Sequence, residues 1–453
     1  MKDALPDTKA LTVTTLGICK PFGQWVGRRN HFKKSNLSVY TATAVWAQSS
    51  GSNLFTHREM IKTGYCKLKE KEATMKSPIC EKLGIEFPLI AFTHCRDVVV
   101  EVSKAGGMGV LGAAGFAPNQ LEIELAWIDE HIDGMPYGLD LIVPTSMANK
   151  NESQSPEEVS AMVPDEYKNF AAGVLARHNV DTADVYEGVS RGNGGFLGEK
   201  SAEGIMDIAF AHPISLIVNA LGVPPAYMLQ MAKEKEVLCG ALVGAKHHAI
   251  KQAEAGVDIL IVSGTEAGGH CGEVSTMVLV PEVSQAVEAY PHVSVLAAGG
   301  IVTGRQMAAA MAMGAHGAWT GSVWLTTQEA ETSPVIKEKL LSAGSSQTIR
   351  TKSRTGKYSR QVRSPWTDAW ESMEAPEPLP MPLQSLVSEP ALGKVVKLAE
   401  SGHQGAKQLA TYWVGQGVGM MNQSLSAKQV VYDFMEDFLA ANERLGAFID
   451  DGS

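Results

Sequence analysis

Eight short apolar runs recur between residues 87 and 320, each separated from the next by a longer stretch, and this alternation constrains the fold more than anything else in the chain. The runs are 87–92, 109–112, 137–143, 214–220, 237–243, 258–263, 293–298 and 317–320, and several are rich in β-branched residues. Most are followed by a segment of helical period, as at 98–105, 245–255 and 305–313. Strands of this length alternating with helices define a parallel α/β architecture, and eight of them suit a closed (β/α)₈ TIM barrel better than an open sheet.

Two segments break the repeat. Residues 145–211, between the third and fourth runs, are too long for a loop, and helix-like patterns opening at Pro156 and near Tyr167 predict a helical insertion. After the barrel, taken as 75–345, a Pro-rich stretch over 365–390 reads as part of a linker, and 346–453 as a whole as a linker and C-terminal helical extension packing on the barrel. Residues 1–74 lack sustained periodicity and are expected to be a poorly ordered extension. Their 12 Lys and Arg against 5 Asp and Glu suggest a targeting arm, which Asp3 and Asp7 argue against.

With a formal charge of −10 overall and a basic start, the rest of the chain is acidic. An acidic body lacks the clustered cations a nucleic-acid surface needs. No apolar run reaches the length of a membrane span. The six cysteines are scattered, without Cys-x-x-Cys or zinc-type His spacing, which fits a reduced, cytoplasmic setting and no metal site.

Chemistry is expected where glycines cluster at strand ends. The sixth run leads into Gly264-Thr265-Glu266-Ala267-Gly268-Gly269-His270-Cys271-Gly272, placing bare amides and one imidazole at the face where such barrels react substrates. The seventh leads into Gly299-Gly300-Ile301 and the eighth into Gly321-Ser322. Loops after the seventh and eighth strands are the usual phosphate site of this architecture, and glycine lets an anion approach N–H groups. An isolated Gly-Gly pair is ordinarily a tight turn, and a lone histidine is ordinarily structural. The succession of three such strand ends favours a phosphate site with His270 beside it.

Other features read more plainly. Cys271 is a packing residue and Glu266 pins its turn. His247-His248 lacks further metal ligands, and His94 has a structural role. Gly106-Gly107-Met108-Gly109 precedes a strand, which rejects a dinucleotide loop. Residues 415–422, with Gly415, Gly417 and Gly419, fit an ordinary helix start and closure over a ligand equally.

Residues 105–112, 264–272, 297–301 and 314–322 together resemble the nitronate monooxygenase family, also described as 2-nitropropane dioxygenase-like or NAD(P)H-dependent flavin oxidoreductases. The resemblance runs from about residue 88 to 445. It implies an FMN cofactor held by Gly268, Gly269, Gly299, Gly300, Gly321 and Ser322, with His270 as the active-site histidine. It also implies contacts from Lys246 and Asp140 to the isoalloxazine or ribityl chain. The implied reaction oxidises alkyl nitronates with oxygen; related members reduce quinones or enoyl thioesters with NAD(P)H. Departures from the family pattern lie at Phe92-Thr93-His94, where Ala91 is followed by no Pro-Met, at Asp140 in place of Asn, and at Ser322 in place of Thr. They leave flavin binding intact and bear on the substrate, since the first-strand loop and the long insertion both border the pocket. A flavin-free isomerase or lyase using the same phosphate site is the competing class, weakened by the lack of a Lys or Glu catalytic pair at the other strand ends.

Overall fold

A computed structural model describes residues 76–114, 116–143, 156–186 and 199–449, together with the backbone of three short N-terminal strands. Those strands, Thr14–Thr15, Val39–Thr43 and Lys69–Lys71, form an antiparallel sheet. The rest of 1–75, on which the expectation of a poorly ordered or targeting arm falls, lies outside the described residues. Two compact units divide the chain, Met1–Met75 and Lys76–Ser453.

In the second unit the eight apolar runs form a closed parallel barrel: β1 (Leu89–Thr93), β2 (Met108–Gly112), β3 (Tyr137–Leu141), β4 (Leu216–Asn219), β5 (Leu238–Val243), β6 (Ile259–Ser263), β7 (Ser294–Ala298) and β8 (Gly317–Thr320). Each strand pairs with the next in sequence, and β8 closes on β1 through Ala318↔Leu89, Trp319↔Ile90 and Thr320↔Ala91. Side chains alternate across the wall. Ile90, Met108, Val110, Leu216, Val218, Ile259, Ile261, Leu296 and Trp319 fill the interior, and Ile79, Leu83 and Ile85 join that cluster from the short helix Pro78–Leu83 and its exit. The opposite faces of β3 and β4, among them Leu139, Leu141 and Ile217, pack on helical Leu121, Leu125 and Ile128. Burying a large aliphatic side chain stabilises by about 1.5–3 kcal/mol, so two such apolar layers on one strand set account for the barrel's closure.

The insertion contains helices Pro156–Ala161, Asp165–Arg177 and Glu199–Ala209; residues 144–155 and 187–198 lie outside the described set. The C-terminal part differs from a linker followed by helices. It begins with an antiparallel hairpin, β9 (Thr348–Thr351) and β10 (Ser359–Val362). The Pro-rich stretch itself holds helices: Pro365–Trp370 uses its proline in the first turn, and Leu383–Glu400 runs through Pro390. The last helix, Ala427–Gly446, lies against Gly304–Ala312, where a Cβ on Gly304 would stand 2.5 Å from the Phe438 amide. No helix among the described residues is long and apolar enough to cross a membrane.

Candidate active site

The C-terminal end of β6 does not continue into a simple loop. Gly269–His270 forms a two-residue strand paired antiparallel with β10, Gly269 opposite Arg360 and His270 opposite Ser359. The hairpin thereby holds His270 by its backbone. Its ring is held as well, because Nε2 lies 2.8 Å from Oγ1 of buried Thr355 in the β9–β10 turn, and Trp413 stands 6.4 Å away, centroid to centroid. His270 is open to solvent on one side, yet protein atoms ring it closely. That crowding and then the charge of Lys357 push its pKa below the ordinary 6.5, so the imidazole is neutral at physiological pH.

Thr355 is fixed from behind. Helix Leu383–Glu400 supplies Gln384, whose amide donates to Ser353 O at 3.0 Å, and Ser388, whose hydroxyl donates to Arg354 O. Arg354 binds Glu389 through two nitrogens at 2.7 and 3.0 Å and stacks 4.0 Å over the Trp413 ring. The segment bearing Trp413 bridges to Gln361 of β10, and Lys339 anchors its approach by donating to Lys407 O, Gln408 O and Ala410 O. Burial pushes the Lys339 amine down to about 8.

Beside His270 lie the other glycine strand ends. Gly299 and Gly300 have φ of 110° and 70°, which suits glycine alone, and their turn is braced by Gln306, whose amide donates to Gly300 O at 2.8 Å. Gln306 Oε1 meanwhile accepts from the Val302 and Thr303 amides, closing the N-terminus of helix Gly304–Ala312. Outside the barrel ladder, the amides of Gly299, Gly300, Gly321 and Ser322 donate to no carbonyl or side chain among the described residues. Uncommitted donors at two adjacent strand ends fit an anionic phosphate. Above Gly321 the nearest atom to an added Cβ is 3.8 Å away, on Phe92.

Residues 415–420 complete this wall. Gly415 donates its amide to Ser322 Oγ at 2.8 Å, Gln416 donates to Glu266 O at 2.9 Å, and a Cβ on Gly417 would meet Gly300 O at 2.6 Å. The 3₁₀ turn Gln416–Met420 is therefore both a helix start and a cover over the glycine loops. Glu266 pins its turn, as expected, accepting from the amide and hydroxyl of Thr276 at 2.8 Å each.

The structure thus knits Gly268, Gly300 and Ser322 together through Gly415–Gly417, sets Gly299 against Thr276 and Gly264, and leaves Gly269 open. Lys246, exposed at the start of helix Lys246–Glu254, makes no hydrogen bond or ion pair with this group. Its loop does approach: Gly244 backs onto Gly272. Asp140 lies on β3 between Leu139 and Leu141, which face the helices, so its carboxyl faces the barrel interior, level with Gly112 and Val218. The residue is 4% exposed, and its carboxyl makes no hydrogen bond or ion pair among the described residues.

Burial alone holds the Asp140 carboxyl well above the ordinary 3.8, which favours the protonated acid. The folded chain then binds a proton that the unfolded chain releases, so its contribution to stability is full below pH 3.8 and is lost as pH rises toward the folded value. Asp140→Asn removes this loss. In the flavin-free protein the variant is expected to be more stable than wild type at pH 7–8 by the ~1–3 kcal/mol typical of a buried unsatisfied polar group, read as a higher melting temperature, and to converge with it near pH 4. Parallel pH profiles for the two proteins would show that the carboxyl is not buried in this way.

Three minor readings are resolved. His94 is structural: its Nδ1 lies 2.8 Å from Gly112 O and its ring meets Phe92 edge-on. Cys271 does have cations near it in space, Arg360 and Arg350, which sequence neighbours could not reveal, yet burial outweighs them and pushes the thiol up. The His247 and His248 rings lie 4.1 Å apart, tilted by 54°, and share no metal-like cluster among the described residues.

A parallel barrel with an imidazole and free amides at the C-terminal strand ends has the layout of a phosphate-binding barrel enzyme, and its relatives make it a flavin-dependent oxidoreductase. The family model described as nitronate monooxygenase matches residues 76–437. The chain belongs to the nitronate monooxygenase family. It is 47% identical to Rv1533 of Mycobacterium tuberculosis, whose name calls it a monooxygenase, over 81% of this chain and 97% of that one. A Staphylococcus saprophyticus relative named as a nitronate monooxygenase is 26% identical, covering 80% and 96%. Among solved structures, a nitroalkane oxidase from Streptomyces ansochromogenes aligns with a TM-score of 0.65 at 21% identity, covering 81% and 99%. FabK from Thermotoga maritima aligns at 0.61 and 24%, covering 83% and 100%; both show the barrel fold.

Proposed function

We propose that this enzyme binds FMN and oxidises alkyl nitronates with molecular oxygen, with His270 as the proton-handling residue. The observation that carries this reading is one neutral imidazole, braced by Thr355 at 2.8 Å, beside the uncommitted amides of Gly299, Gly300, Gly321 and Ser322. Those amides suit a single phosphate, which favours the mononucleotide. Gly268, Gly269, Lys246 and Asp140 would line the remainder of the flavin, Asp140 from below as a neutral donor. When bound, the flavin takes electrons from the substrate and passes them to oxygen.

The protein's part is acid–base and positional. The Thr355 hydroxyl lies 3.3 Å from Lys357 O, so donating there leaves it to accept from Nε2–H of His270. That tautomer keeps the Nδ1 lone pair for a proton from the carbon beside a nitro group. A nitronate arrives already deprotonated and needs no such step. Likeness to the family supports the substrate class, and the braced imidazole supports the base.

The test is spectral. Purified protein is expected to be yellow, to release FMN on denaturation, and to consume oxygen when a nitronate is added. Protein that neither carries nor takes up FMN would end the proposal, and anaerobic bleaching by NADPH without turnover of nitronates would replace it with a reductase.

A further inference from the structure

We propose that Lys357 is a specificity residue that meets the negative charge of the substrate beside His270, so that the enzyme prefers the anionic nitronate to the neutral nitroalkane. This rests on the reading of the site as nitronate-oxidising.

Lys357 occupies the turn between β9 and β10, two residues before Ser359, the register partner of His270. Thr355 of the same turn touches the His270 ring and lies 3.4 Å from the Lys357 amide and 3.3 Å from its carbonyl. Turn, threonine and histidine are one hydrogen-bonded unit, so the backbone of Lys357 is fixed relative to the imidazole and its charge acts on the ring.

The hairpin and its exit bear six cations, and five have partners. Arg350 pairs with Glu273 at 3.5 Å, Lys352 with Glu377 at 2.7 Å, Arg354 with Glu389, and Arg363 with Asp368 at 2.6 Å, while Arg360 donates to Thr265 O and Thr348 Oγ1. The ammonium of Lys357 alone, on an exposed residue, makes no hydrogen bond or ion pair among the described residues. A free cation beside a base has a cost: it disfavours the imidazolium and so weakens proton abstraction from a neutral substrate. The same charge favours a substrate that is already an anion. The other charged or titratable neighbours do not offset it. Arg354 is neutralised by Glu389 behind Trp413, Arg360 is committed behind Gly269, and Cys271 is kept neutral by burial.

Wild-type holoenzyme, Lys357→Gln and Lys357→Arg would be compared on one nitroalkane supplied as the nitronate and as the neutral form. The ratio of kcat/KM for nitronate over neutral substrate is expected to fall at least tenfold in Lys357→Gln, mainly through KM for the nitronate, and to be kept by Lys357→Arg. The apparent pKa of the histidine in the neutral-substrate profile should rise in Lys357→Gln, since a positive neighbour is gone. Inorganic nitrate, titrated against the flavin absorbance, should bind wild type at least tenfold more tightly than Lys357→Gln. An unchanged ratio with unchanged nitrate affinity would overturn the role of Lys357. If no nitronate is turned over, the functional reading fails, and the nitrate titration still decides whether Lys357 receives an anion: equal affinities reject it.

Discussion

Replacing His270 by Asn is expected to lower turnover of a neutral nitroalkane by roughly 10²- to 10⁴-fold, the range for loss of a positioned general base, with FMN still bound. Asparagine is close to imidazole in size and keeps one hydrogen-bonding group for Thr355, so the backbone pairing of His270 with Ser359 is unaffected. Its amide cannot take a proton. The same enzyme offered a preformed nitronate should lose much less, because the proton is already gone, and this split separates a base from a residue that merely shapes the pocket. Equal losses on both substrates would assign His270 to binding; no loss on either would remove it from the mechanism.

Gly415→Ala should weaken FMN binding by about 10- to 100-fold, taking ~1–3 kcal/mol for overpacking and ~1.4 kcal/mol per decade of affinity. The added methyl would stand 2.6 Å from Glu266 O, 3.2 Å from the Gly268 amide and 3.3 Å from Ser322 Oγ. Two of those atoms are backbone and cannot swing aside, so the segment must lift from the loops it covers. Gly393→Ala is the control, because a methyl in that part of helix Leu383–Glu400 meets nothing within 4 Å. Flavin fluorescence titration reads both. A Gly415→Ala protein with wild-type affinity would detach residues 415–417 from the cofactor site.

The barrel was legible because each strand buries two faces, leaving compact apolar runs that few other folds need. The eighth run, 317–320, coincides with β8 residue for residue, whereas the first, 87–92, starts two residues before β1. Phe87 there bonds across to Gly106 O, outside the barrel wall. The glycine strand ends were legible for the same local reason. The hairpin was not. Its strands carry Arg350 and Arg360 where a core strand would carry aliphatic side chains, and these find partners distant in sequence, Glu273 for Arg350 and the Thr265 carbonyl for Arg360. Thr355, Lys357 and Trp413 therefore carry no local sequence signal, although they lie around His270. Only the six cations within 350–363, against no acid, mark that segment as unusual for an acidic chain.

The cover formed by Gly415–Gly417 also sets an order of events. A chain is made from its N-terminus, so the strands of the barrel are all complete before residues 415–417 exist. The glycine loops then stand open until residues 415–417 arrive, so the cover closes after the barrel strands have been made. A product cut short ahead of Val414 lacks this cover and is expected to hold flavin more weakly than the chain that carries it.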